Sequence, residues 1–251
     1  MAVVNVLSLV LVLVVNLLAN LLPIGGVTTG QISDSYSNMF APSGITFSIW
    51  GLIYFLIAGF TVHLVVPTVL GRREQHDLES RTGIWFVLAN GLNAAWIFAW
   101  HYEWIGVSLL LLLGLLLAVG VLFHSTRDLP AVGLVQQAFI RLPFAVYFGW
   151  VTVAVIANVT VFFVSVGWGG FGLPEAFWTV SVIGAALAIG LLMIKSYGDG
   201  TYTGVLIWAL LGIIIKRLQT EPVAWSVVGA AVVSAVILTA ATWLVPDVRK
   251  R

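Results

Sequence analysis

The chain has 251 residues, of which 61% are hydrophobic and 8% charged, and its formal net charge at pH 7 is +1. Soluble domains carry about 25% charged residues, so a chain this apolar cannot cover itself with a polar surface, and lipid must be its solvent. The small net charge argues against a nucleic-acid partner, and the lack of cysteine excludes disulfides, thiol chemistry and thiolate metal sites.

Continuous apolar stretches predict eight transmembrane helices, because a helix needs about 20 apolar residues to cross the hydrocarbon core. The stretches do not alternate as the strands of a membrane barrel do, so we expect an all-α integral membrane protein. The seventh stretch is the shortest and is also compatible with a half-span. In chain order the predicted spans are Ala2–Leu22, Gly44–Val66, Gly83–Trp100, Trp104–His124, Val135–Val164, Pro174–Ile194, Tyr202–Ile215 and Pro222–Val245.

The first predicted span is interpreted as a retained helix rather than a signal peptide. A signal peptide begins with a basic region, whereas the first Lys or Arg in this chain is Arg72. The polar, glycine-containing segment Pro23–Ala41 follows as the longest predicted loop. Loops of this length between helices are commonly functional, and a simple solvated connector is the alternative.

Basic residues near the span ends predict the orientation, because cytoplasmic loops carry an excess of Lys and Arg. With eight spans, both termini are predicted to be cytoplasmic, a pattern that suits a prokaryotic cytoplasmic membrane. The predicted outer side holds Lys216 and Arg217, and the inner side holds Arg72, Arg73, Arg81, Arg127, Lys195, Arg249, Lys250 and Arg251.

Three predicted spans each carry a stripe of aromatic residues along one helix face, since residues three, four or seven apart share a face. An asparagine in the membrane must find a protein partner, which predicts that Asn93 and Asn158 face the interior. The stripes are Phe47, Trp50 and Tyr54 in the second span, Asn93, Trp96 and Trp100 in the third, and Tyr147, Trp150, Ala154 and Asn158 in the fifth.

A cavity lined by indole, phenol and carboxamide groups would suit a flat and mostly apolar ligand, such as a porphyrin or a sterol. Ordinary helix packing explains the same stripes equally well. Tryptophans near span ends have a third explanation, because tryptophan anchors helices at the headgroup level. We assign Trp85, Trp104, Trp168, Trp178, Trp208, Trp225 and Trp243 to that group.

Three ordered motifs in these spans resemble the TspO/MBR family, the tryptophan-rich sensory or translocator proteins. The motifs are Pro42 followed by Trp50 and Tyr54, then Leu92-Asn93-Ala94-Ala95-Trp96, and finally Pro143, Trp150 and Asn158. The resemblance covers residues 1–165 and implies a five-helix transmembrane core there. Residues 166–251 are then a C-terminal extension with about three additional transmembrane helices.

The resemblance also implies a function. Members of the family bind tetrapyrroles such as protoporphyrin IX and haem, and they are often dimeric, so we expect a hydrophobic small-molecule ligand, membrane lipid and a homodimer as partners. No resident cofactor is required. The implied ligand-binding residues are Phe47, Trp50, Tyr54, Asn93, Trp96, Tyr147, Trp150 and Asn158.

The rival functions are transport of a small solute or lipid without tetrapyrrole binding, and a structural scaffold whose aromatic stripes only pack. Coupled transporters place ionisable residues at mid-membrane, whereas the charges here cluster at span ends, so passive or ligand-driven transport is the version left open. No nucleophile–base pair, metal cluster or phosphate loop is visible in the sequence, so we do not expect a conventional enzyme. Porphyrin breakdown, to which the family has been linked, stays open.

Overall fold

The computed structural model describes residues 1–21, 24–69, 76–127, 133–134 and 137–244, and the backbone alone at residues 68, 69, 76 and 77. These residues contain helices and no β-strand. All of the helices except the short α2 are long and apolar enough to cross a membrane, which confirms the predicted all-α fold with eight spans. The helices are α1 (Ala2–Leu21), α2 (Thr29–Ser35), α3 (Ile49–Val69), α4 (His76–His101), α5 (Ile105–Arg127), α6 (Leu142–Ser165), α7 (Glu175–Tyr197), α8 (Gly200–Leu218) and α9 (Trp225–Leu244).

Two helices extend well beyond their predicted spans. Helix α4 begins at His76 rather than Gly83, because charged residues such as Glu79 and Arg81 lie within its first turns, outside the apolar window. Helix α8 has 19 residues, about 28 Å of helix, which is long enough for a full crossing rather than a half-span. Three predicted span ends, Leu22, Val135 and Val245, lie outside the described residues. So do five basic residues that were assigned to the inner side, namely Arg72, Arg73, Arg249, Lys250 and Arg251.

The connection between the first two spans is partly helical. The predicted loop Pro23–Ala41 contains a 3₁₀ turn at Ile24–Gly26 and the helix α2, and Pro23 itself lies outside the described residues. Gly25 and Gly26 have φ values of 70° and 80°. Residues with a Cβ rarely adopt such angles, so these two glycines permit the turn that follows α1.

The chain divides into two compact units. The first unit comprises Met1–Ile32 and Ile49–Val151, and the second comprises Ser33–Ser48 and Thr152–Arg251. Helix α6 therefore begins in the first unit and ends in the second. The sequence-based division at residue 165 stays a prediction.

The first unit packs α1, α3, α4, α5 and the start of α6 around a cluster of phenylalanines. The ring of Phe60 lies 5.3 Å from that of Phe86 and 4.8 Å from that of Phe144, and all three side chains are buried. Lipid is as apolar as these residues, so van der Waals packing rather than the hydrophobic effect holds such helices together. Because van der Waals packing needs close contact, a small residue is required where the backbone of α3 meets the ring of Phe139. A Cβ at Gly59 would collide with that ring.

The second unit joins α7, α8 and α9 to the segment before α3. Asp199 caps α8 by accepting hydrogen bonds from the backbone N–H groups of Thr201 and Tyr202, which satisfies donors that a helix start leaves free. The backbone N–H of Ser43 donates to the carbonyl of Gly212 at 3.0 Å. Trp208, near the middle of α8, donates from Nε1 to the carbonyl of Thr46, so its assignment as a span-end anchor was wrong.

Candidate functional site

Trp50 is the centre of an aromatic cluster in the first unit. Its ring stacks on those of Tyr54 and Trp96, each with a centroid distance of 5.6 Å. The rings of Tyr147 and Trp150 meet it edge-on at 6.0 and 6.2 Å. These offset and perpendicular arrangements are the ones that aromatic quadrupoles favour. The structure therefore brings together residues from all three predicted stripes, on α3, α4 and α6.

The stacked rings continue from Trp50 along α4 toward the start of α2. Trp96 and Trp100 lie one helical turn apart, and their ring centroids are 6.2 Å apart with an interplanar angle of 27°. The indole N–H of Trp100 then donates to the backbone carbonyl of Thr29, the first residue of α2, at 3.1 Å. The partly helical connection after α1 thus holds one end of the stack.

Asn93 supplies the polar centre of the cluster and is fully buried. Its Nδ2 donates to the hydroxyl of Tyr147 at 2.6 Å. Its Oδ1 accepts from the hydroxyl of Tyr54 at 3.4 Å and from Nδ2 of Asn16 at 3.5 Å. One carboxamide therefore ties α1, α3, α4 and α6 together, as expected for an asparagine that lipid cannot satisfy.

Asn16 is a member of the site that the sequence reasoning missed. It lies on α1, is buried, and bonds both to Asn93 and to the carbonyl of Val12 on its own helix. The rule that predicted an inward-facing Asn93 applies equally to this asparagine in the first span. Its place on the buried face of α1, with Asn5, Ser8 and Val12, was the available signal.

Trp96 carries a polar group that no described residue satisfies. Its indole Nε1 is buried and has no hydrogen-bond partner among the described residues. Most buried polar groups in proteins are hydrogen-bonded, and in a membrane the surrounding lipid cannot supply an acceptor. The N–H is therefore available to an acceptor atom on a ligand that reaches the cluster.

Two of the predicted site residues belong to the second unit, and their part in ligand binding stays a prediction. Phe47, in the 3₁₀ turn Gly44–Ser48, and Asn158, on the later part of α6, both belong to the second unit. Asn158 is buried, in keeping with its expected inward position. The cluster around Trp50 is thus built from the other six predicted residues together with Asn16 and Trp100.

The cluster around Trp50 combines aromatic rings with a few polar groups. It offers aromatic faces, phenolic hydroxyls, carboxamides and the indole N–H of Trp96, which has no partner among the described residues. Within the described parts of the chain, no group of three or more His, Asp or Glu residues is placed to hold a metal ion.

One comparison with known proteins gives a match. A protein-family model described as TSPO-like protein matches residues 2–244. The match extends beyond the motif-bearing residues 1–165 and includes α7, α8 and α9. No curated protein matches the chain, and no solved structure matches it.

Proposed function

Because this chain belongs to the TSPO-like protein family, we propose that its aromatic cluster binds a tetrapyrrole-like ligand, such as protoporphyrin IX or haem, for sensing, regulation or transport. The protein is a multi-pass integral membrane protein of this type, with eight helices that can span a bilayer. The ligand would enter from the membrane or its surface, where hydrophobic tetrapyrroles partition.

The observation that carries the proposal is the set of four rings around Trp50. A flat macrocycle offers large π faces, and the Trp50–Trp96 stack is an interaction of the same kind. In the structure these two rings occupy each other's faces, so a macrocycle binds by replacing that stack. Trp50 is the residue that must move, since it is the one ring that contacts all the others.

Two groups would fix the orientation of the bound ring. The unsatisfied Nε1 of Trp96 can donate to an acceptor on the ligand, and satisfying a buried donor is worth about 1–3 kcal/mol. Asn93 holds the two tyrosine hydroxyls at the base of the cluster. Neutral polar groups in an apolar site provide specificity in most small-molecule pockets.

A homodimer in a prokaryotic cytoplasmic membrane, with both termini in the cytoplasm, completes the proposal. Arg81, Arg127 and Lys195 lie near the ends of α4, α5 and α7 that were predicted to be inside. Their number supports this orientation through the excess of basic residues on the cytoplasmic side.

The test is a titration of the purified protein with protoporphyrin IX and with haem, followed by tryptophan fluorescence and the Soret band. The parent is compared with a Trp50→Ala/Asn93→Ala double variant and with Trp225→Ala, which removes an exposed tryptophan outside the cluster. Saturable binding by the parent and by Trp225→Ala, lost in a double variant that keeps its helical content, supports the proposal. Equal binding by all three proteins, or no saturation, refutes it and makes transport without tetrapyrrole binding the leading function, to be measured as flux in liposomes.

A further inference from the structure

A second candidate site lies entirely within the second unit, as a cavity of about 630 Å³. This volume falls within the range of roughly 300–1,000 Å³ that small-molecule sites occupy. The cavity is bounded by the last part of α6, the connection from α6 to α7, the first turns of α7 and the segment around Asn38 and Phe40. None of its lining residues belongs to the cluster around Trp50, so this site is independent of the proposed tetrapyrrole function.

One end of the cavity is aromatic. The ring of Trp168 lies 4.6 Å from that of Phe163, 4.8 Å from that of Trp178 and 5.4 Å from that of Phe171. These rings lie where α6 ends and α7 begins, and both helices are candidate membrane spans. Tryptophans at span ends mark the headgroup level of the bilayer, so this end of the cavity lies at that level.

Two valines of the lining lie farther along the helices, away from the aromatic end. Val159 is six residues before the end of α6, and Val182 is seven residues after the start of α7. At 1.5 Å per residue these positions are about 9–10.5 Å along the helices from the helix ends, and about 6 Å deeper than Phe163 and Trp178 of the aromatic end. The cavity therefore runs from the headgroup level into the hydrocarbon layer.

The polar side chains of the lining already have protein partners. Thr160 donates to the carbonyl of Ala157, and Thr179 donates to that of Glu175. Trp178 donates from Nε1 to the carbonyl of Gly170. The Oδ1 of Asn38 accepts from the backbone N–H of Ala41, and a Glu175 carboxylate oxygen accepts from that of Met39. A water molecule needs two to four polar partners to stay in a cavity, so this lining favours an apolar occupant.

The rim is apolar and exposed. Phe171 is 83% exposed, and Phe163, Val164 and Leu173 are exposed as well. In a membrane protein such residues face lipid, so a chain from the surrounding bilayer can enter without crossing water. The cavity runs along the helices, with its aromatic end at the headgroup level and its valines deeper. It therefore lies parallel to a phospholipid acyl chain in the same leaflet and matches its polarity.

We propose that this cavity binds one acyl chain of a bilayer phospholipid, with the lipid headgroup at the level of Trp168 and Trp178. A flat macrocycle would place its faces against aromatic rings along its whole extent, whereas four of the five rings in this lining, Phe163, Trp168, Phe171 and Trp178, lie at the one end where α6 and α7 meet. The bound lipid would fill the space between α6 and α7 and hold the connection between them.

The test uses phosphatidylcholine that carries a photoreactive diazirine in one acyl chain. The protein is reconstituted in phosphatidylcholine vesicles with a small share of this probe and irradiated, and the modified residues are located by mass spectrometry. Val182→Phe fills the cavity, and Val180→Phe is the matched control, because Val180 is a half-buried valine on the same helix that does not line the cavity.

We expect label to be enriched within residues 159–182 of the parent relative to lipid-facing residues of α1. That label should fall about tenfold in Val182→Phe, because extra bulk in an occupied space costs affinity, and it should persist in Val180→Phe. Circular dichroism of both variants establishes that each keeps its helices, and Val159→Phe repeats the test from α6. Two results would overturn the proposal: label spread evenly over the exposed surface, or enriched label that Val182→Phe and Val159→Phe both keep.

Discussion

Asn93 Nδ2 lies 2.6 Å from the hydroxyl oxygen of Tyr147, and this hydrogen bond joins α4 to α6 beside the Trp50 ring. Both side chains are buried. The bond matters for the site because Tyr147 contacts Trp50 directly, so the carboxamide determines where one wall of the aromatic cluster stands.

A double-mutant cycle on this pair measures its contribution to stability. We expect Asn93→Ala and Tyr147→Phe each to destabilise the protein, because each leaves a buried partner unsatisfied. The coupling energy should be about 0.6 kcal/mol, the average for hydrogen bonds between membrane helices, and at most about 1.7 kcal/mol. The free energies of unfolding of the parent, the two single variants and the double variant supply the cycle. Strict additivity of the two substitutions would show that the bond has no energetic role.

Gly212 on α8 should not tolerate a side chain. A Cβ at this position would collide with the side chain of Thr46 and approach Pro42, both of which precede α3. We expect Gly212→Ala to lose about 1–3 kcal/mol of stability, the usual cost of overpacking. The melting temperature in detergent is the measurement.

Gly204 provides the matched control on the same helix, because nothing lies within 4 Å of a Cβ added there. Gly204→Ala should leave stability unchanged or raise it by up to about 1 kcal/mol through helix propensity. If the two alanine variants melt at the same temperature, the close contact between α8 and Thr46 does not exist in solution.

The orientation of α8 can be tested directly because the chain has no cysteine. Ser196→Cys and Thr220→Cys place single thiols at exposed positions before and after this helix. We expect a membrane-impermeant maleimide to label Thr220→Cys from outside intact cells, and Ser196→Cys only after the cells are opened. Labelling of both residues from one side would mean that α8 does not cross, and reversed labelling would place both termini outside.

Helix periodicity in the sequence predicted which faces of α3, α4 and α6 carry the residues of the cluster around Trp50. Trp50, Trp96 and Trp150 each share a face with polar residues, and the period of the helix is enough to find such a face. The inward position of Asn16 could have been predicted by the same rule as that of Asn93. Its bond to Asn93 could not, because the partner of a buried asparagine depends on which helices are neighbours, and periodicity within one helix carries no such information. Phe47 was placed on the face of Trp50 and Tyr54 because the predicted span began at Gly44, whereas the chain from Gly44 to Ser48 is a 3₁₀ turn of different pitch; its role in binding stays a prediction.

Helix α9 also shows that the spacing of residues within one helix does not identify what they pack against. Ser226, Ala230 and Ser234 form a stripe of small residues at four-residue intervals, which favours close packing. In the structure Ser234 is buried but Ser226 is exposed, and the buried face also contains Val227, Val228, Ala231 and Leu238. Close approach of α9 to its neighbours occurs instead at Gly190 on α7, where a Cβ would collide with Leu238 on α9 and with Leu206 on α8. Small residues permit close packing, but the neighbouring side chains decide which of them is used.

The central claim is that a flat tetrapyrrole takes the place of the Trp50–Trp96 stack, and circular dichroism tests it most directly. Protoporphyrin IX is achiral, so a Soret signal appears only when the protein holds it in an asymmetric site, while the near-ultraviolet signal reports stacked indoles. We predict that the Soret signal grows and the indole signal falls with the same saturation curve, and that Trp50→Ala/Asn93→Ala shows neither change. A Soret signal of equal size in that variant, or an indole signal that protoporphyrin leaves unchanged, would contradict the account.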